Sequence, residues 1–349
     1  MCRCAERAFT LYTPRVYGRG VAIRHDVRVD VTHAVPDVPG GPHEIAVTVI
    51  ADPAQWPPRA ALFAFPGGGY SRHYFDLDIP GHPGYSQAEH HVARGWLVVA
   101  VDHLGVGDSS LADASLLSFE VCAAANDAAV RHVLTRLAAG TLAPGLAPVL
   151  DRPFVVGAGQ SMGGCLSIVA QARHRTFDAL AVLGFSAVHT ALPMPGSDWD
   201  GFGVARGEVG DLAASSAELQ GLRVFDYAFH LEDVPDDIRH ADIDTYPLRL
   251  DGVVPAWASA TMPYAAVSML TPSVVAAEAA TIDVPVLTIA GERDVVPDIH
   301  AEPAAYRGSP DVTAAVQAGS AHMHNFATTR SWIWKRLHGW ADGLLTLAP

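Results

Sequence analysis

The feature that most constrains the fold is a rhythm of short, unbroken apolar runs, each ending in a glycine-rich or polar turn. Residues 60–65 (AALFAF) run into PGGGY, residues 96–102 (WLVVAVD) into HLGVGDS, and residues 152–158 (RPFVVGA) into GQSMGG. Residues 179–186 (ALAVLGFS), 284–291 (VPVLTIAG) and 311–319 (DVTAAVQAG) repeat the pattern. A strand with one wet face alternates apolar and polar residues, whereas a strand covered on both faces stays apolar throughout. The runs therefore predict a mostly parallel sheet with helices on both sides, an α/β doubly wound architecture.

Helical segments are expected between the runs, at about 120–139, 162–173 and 328–345. In the last of these, Trp332, Leu337 and Trp340 are available for a buried face. Two earlier segments, 21–34 and 43–51, flank the turn PDVPGGP and read as an antiparallel hairpin. With this antiparallel start the sheet has about eight strands. Residues 188–282 break the rhythm. They show no clean strand, much Pro, Asp and Met, and scattered aromatics: Trp199, Phe225, Tyr227, Trp257 and Tyr264. Because they lie between two core strands, they are read as an inserted helical cap. The expected organisation is a first core part over 1–187, the cap over 188–282, and a second core part over 283–349.

Composition narrows the partners. Lys and Arg number 23 against 37 Asp and Glu, and no basic run occurs. Phosphate backbones and anionic membrane surfaces are bound by clustered cations, so neither is expected here. The opening residues carry Glu6 and Arg7 without an apolar stretch, and no uncharged apolar window of spanning length follows. Neither a secretory leader nor a transmembrane helix is expected, and a cytoplasmic location is the default. Four cysteines are too few and too scattered for a disulfide framework. Cys2 and Cys4 lack a second pair at zinc spacing, and neither metal nor cofactor is implied.

Gly159-Gln160-Ser161-Met162-Gly163 fits G-x-S-x-G between a buried strand and a helix. That is the context a nucleophile elbow requires. A serine at so sharp a turn takes strained backbone angles, and the residues two before and two after it must be small. The helix that follows aims its free N–H groups at charge developing near Ser161. A serine hydroxyl needs a base to become a nucleophile. Candidates lie further on: Asp294 in the turn GERD, with Glu292 and Asp298 nearby, then His322 and His324 in GSAHMHN.

In this order of motifs the chain resembles the α/β-hydrolase superfamily over essentially its whole length. The resemblance rests on GQSMGG, GERD and GSAHMHN, together with FPGGGYS and DHLGVGDS. It implies Ser161 as nucleophile, Asp294 as orienting acid and His322 as general base, with His324 the rival. It also implies an oxyanion hole from the backbone N–H of Met162 and of Gly68, with Gly69 the neighbouring possibility. Pro66 stands where the family usually has histidine, which matters little for a backbone donor. DHLGVGDS is read as structural. The implied activity is a serine hydrolase (carboxylesterase, lactonase or thioesterase) acting on a small or medium apolar acyl compound. The alternatives are an acyltransferase using the same three residues and a non-catalytic ligand-binding scaffold. Substrate and oligomeric state are left open by the sequence.

Overall fold

The computed structural model describes residues 16–17, 20–199, 204–208, 224–247, 249 and 253–347. Cys2, Cys4 and part of the insertion lie outside them. Eight strands form one sheet: β1 (Ile23–Asp30), β2 (Glu44–Ala51), β3 (Ala60–Phe65), β4 (Trp96–Val101), β5 (Phe154–Gln160), β6 (Ala179–Leu183), β7 (Val286–Arg293) and β8 (Val312–Ala321). Their spatial order is β1-β2-β4-β3-β5-β6-β7-β8. β1 and β2 pair antiparallel, as does β2 with β4, and every later pairing is parallel. The expected first strand is shorter than its apolar run, because residues 32–34 turn into a 3-10 helix.

Alternation along each strand sends apolar side chains to two different layers. On β3, Phe63 and Phe65 join a core built with α2 (Phe119–Ala139) and α3 (Met162–His174), including Cys122, Val133, Leu166 and Val169. Leu62, one residue away, joins the opposite layer with α1 (Gln87–Val92) and the C-terminal helix. That helix, Ser331–Leu347, buries Ile333, Trp334, Leu337 and Trp340. Trp332 does not share this face: it is 40 % exposed, because one residue of helix rotates a side chain by about 100° away from the Ile333–Leu337 stripe.

The insertion between β6 and β7 departs from the purely helical expectation. It opens with a short antiparallel hairpin, Leu192–Met194 with Ser197–Trp199. Three-residue strands around Pro193 carry too little pattern to be read from sequence. Short helices follow at Val224–Ala228, Asp236–Ile243, Ala265–Ser268 and Ala276–Ala279. Phe225, Phe229, Tyr246 and Trp257 pack with Tyr70, Tyr74, Val295 and Phe326 in a separate aromatic cluster. The loops following β3, β7 and β8 supply those partners, so the cluster covers the carboxyl ends of the sheet, where open α/β sheets bind ligands. No described helix is long and apolar enough to cross a membrane.

Candidate active site

Parallel pairing brings distant sequence segments to one edge of the sheet. β3 and β5 run side by side to Phe65 opposite Gly159, which sets PGGGY next to the turn carrying Ser161. On β7 and β8 the register runs to Arg293 opposite Ala321. The next residue on each strand is Asp294 on one and His322 on the other. Two expected partners, far apart in sequence, thus become neighbours through register alone.

Ser161 sits between β5 and α3 with φ +52° and ψ −118°. A non-glycine residue in this region stores about 1–3 kcal/mol and persists only where its surroundings over-determine it. Here the determinants are close backbone contacts. A Cβ on Gly159 would collide with the Gly163 carbonyl, and one on Gly163 with the Phe65 carbonyl. The Ser161 N–H donates to the Leu183 carbonyl at 2.8 Å, tying the turn to β6. The side chain faces a cavity that His322 and Gly68 also line.

His322 Nδ1 lies 2.6 Å from Asp294 Oδ1, with both side chains nearly fully buried. The carboxylate is satisfied on its other sides. Val295 N–H donates to Oδ1 at 2.7 Å, and Gly291 N–H to Oδ2 at 2.7 Å, the latter beside an irregularity in the β7–β8 register. Burial alone would raise the Asp294 pKa, but the positive charge of a protonated His322 and these hydrogen bonds outweigh it and hold the carboxyl below its ordinary value. Glu292 and Asp298 are exposed and cap local backbone N–H groups at Gly319 and His300. The histidine loop is held from the insertion: the N–H groups of His322 and Met323 donate to the carbonyls of Ala228 and Phe229.

Among the described residues no hydrogen bond joins His324, two residues on, to the acid. Its ring meets the edge of Tyr74 at 5.6 Å, and burial pushes its pKa down to about 3, so it stays neutral. Met162 opens α3, and Gly68 lies within reach of its side chain. Among the described residues, no protein acceptor takes the N–H of either Met162 or Gly68.

An esterase from Exiguobacterium antarcticum aligns over 86 % of this chain and 96 % of its own, with a TM-score of 0.56 at 15 % identity. A bromoperoxidase from Bacillus anthracis aligns over 93 % of this chain and 99 % of its own, with a TM-score of 0.56 at 15 % identity. A thermophilic esterase from Thermogutta terrifontis covers 91 % of this chain and 98 % of its own, with a TM-score of 0.55 at 13 % identity. The chain has the α/β-hydrolase fold. Models of known protein families give no match, and neither do curated protein sequences.

Within this α/β-hydrolase framework, sequence reasoning missed two side chains. The first is Gln160, wholly buried beneath the imidazole, whose amide nitrogen lies 3.2 Å from His322 Nε2. Among the described residues no hydrogen bond joins Nε2 to Ser161 Oγ. Gln160 occupies the variable position of G-x-S-x-G, so the motif itself carries no signal for it. The second is Tyr246, whose hydroxyl donates to the Gly68 carbonyl at 2.9 Å. DHLGVGDS forms a turn around the buried Asp102, which accepts from the Arg72 N–H at 2.6 Å, from Arg72 Nη1 at 2.6 Å and from the Asp108 N–H at 2.9 Å.

Proposed function

We propose that this chain is a serine hydrolase that cleaves an ester-type bond through an acyl-enzyme on Ser161. The observation that carries the reading is the buried 2.6 Å contact between His322 and Asp294, opening onto the same cavity as a serine held at φ +52°. In this reading Asp294 accepts a hydrogen bond from Nδ1–H of His322 and leaves the Nε2 lone pair facing the reaction. At rest the Gln160 amide donates to that lone pair and fixes the same tautomer from the other side. When substrate binds, Ser161 Oγ displaces the amide, delivers its proton to Nε2 and attacks the carbonyl carbon.

Negative charge on the carbonyl oxygen then develops in front of the unspent N–H groups of Met162 and Gly68 and the positive end of α3. Collapse returns the proton from Nε2 to the leaving alkoxide or thiolate. Water, deprotonated by the same nitrogen, releases the acid and restores Ser161. The cavity favours an uncharged apolar acyl group: its described walls include Leu192, Phe225, Phe229, Met262, Met269 and Leu270 and no Lys, Arg, Asp or Glu. Residues 188–282 serve as the lid that supplies most of these walls. Wild-type protein should turn over p-nitrophenyl esters of short to medium acyl length. Ser161→Ala should lower that turnover by about three or more orders of magnitude, and wild-type-like esterase activity in the variant would remove the reading.

A further inference from the structure

The three glycines after β3 spend their carbonyls on the protein. The Gly67 carbonyl accepts from the Tyr70 N–H at 3.2 Å, the Gly68 carbonyl from Tyr246 Oη at 2.9 Å, and the Gly69 carbonyl from the Ser259 N–H at 2.9 Å. The C=O and N–H of one trans peptide point in opposite directions. Capturing each carbonyl therefore sets the direction in which the N–H of the next residue faces. Two of the three captors, Tyr246 and Ser259, belong to the insertion.

Tyr246 is itself firmly held. Its ring packs against Phe225 and Phe229 at centroid distances of 4.5 and 4.9 Å, and the Arg249 guanidinium lies over both Tyr246 and Tyr70. Behind them Asp242, fully buried, gathers Tyr70 Oη at 2.7 Å, His230 Nε2 at 2.8 Å and Trp257 Nε1 at 3.0 Å. A buried carboxylate with this many partners fixes its neighbours in one arrangement. Burial raises the Tyr246 phenol pKa, so the hydroxyl stays a donor across the working range.

We propose that Tyr246 is a positioning residue for the oxyanion loop: its hydroxyl pins the Gly68 carbonyl and so holds in place the residue whose own N–H, turned by the Gly67–Gly68 peptide, is the donor, and the insertion thereby completes the oxyanion hole. This inference rests on the serine-hydrolase reading. It couples the insertion to the anion site, because the same side chain walls the cavity and fixes the donor loop. Tyr246 acts through the backbone and contributes no proton to the reaction.

Tyr246→Phe removes the hydroxyl and keeps the ring. Steady-state hydrolysis of p-nitrophenyl butyrate by this variant should show kcat reduced about tenfold or more, with KM changed less than about twofold. Affinity for a trifluoromethyl ketone, which places an oxyanion in the site, should weaken by the same factor as kcat, and fluorophosphonate labelling of Ser161 should slow in parallel. A structural role alone would lower the melting temperature without that matched loss. Wild-type kcat and ketone affinity in Tyr246→Phe, in a protein whose wild type labels at Ser161, overturn the inference alone. A wild type that neither hydrolyses the ester nor labels overturns the hydrolase reading and the inference with it.

Discussion

Two histidines two residues apart are chemically alike in sequence, and their surroundings separate them. His322 meets a carboxylate at 2.6 Å and faces the cavity, whereas His324 is sealed against Tyr74 with its pKa lowered to about 3 by burial. His322→Ala should therefore cost about three or more orders of magnitude in kcat. His324→Ala should leave most of kcat in the folded fraction and lower the melting temperature instead, since it removes packing. Kinetics and thermal melts on both variants check this, and the opposite pattern would assign the base to His324. The sequence placed the histidine loop but left this choice open, because the deciding contact comes from a different strand. Gln160 was illegible for a related reason: its contact to His322 spans 162 positions, and only folding reveals it.

Strands and the turns after them were the most legible elements. Continuous apolar runs fix two-faced burial, and residues that stop the runs mark the carboxyl ends where the site collects. Glycine spacing around Ser161 was readable because the constraint is local: each glycine avoids a backbone collision within a few residues or on the adjacent strand. The Asp102 turn shows the same economy. Its carboxylate, wholly buried, binds Arg72 two residues after PGGGY and so ties that loop to the end of β4. Asp102→Ala removes the buried partner of Arg72 and leaves it the half-exposed Asp108 at 2.8 Å, so the loss should approach, without exceeding, the roughly 3–5 kcal/mol of a broken buried ion pair. Denaturant titration should register that loss through a lower midpoint, and an unchanged midpoint would remove the structural role assigned to this turn. The hairpin at 192–199 and the tie from Tyr246 to Gly68 were not readable. The first is too short to show a period, and the second joins groups 178 positions apart.

At the scale of the whole molecule, burial leaves several histidines neutral. His91, His103 and His324 are buried with pKa values pushed down by desolvation, and half-buried His90 falls to about 4 for the same reason. In the unfolded chain these groups take up protons near pH 6.5. Between about pH 6.5 and 4 the unfolded state thus binds more protons than the folded one, and stability falls as the pH falls. Unfolding midpoints should drop steadily from pH 7 to pH 4.5, and a flat profile over that range would contradict the burial assigned to these rings. The central claim, however, is that the fold exists to activate one serine. Its most direct measurement is fluorophosphonate labelling of the purified chain, with the modified peptide identified by mass spectrometry. The account predicts a single adduct on Ser161 that disappears in Ser161→Ala and slows sharply in His322→Ala. Labelling that persists in Ser161→Ala, or a wild-type protein that takes no label, would contradict it.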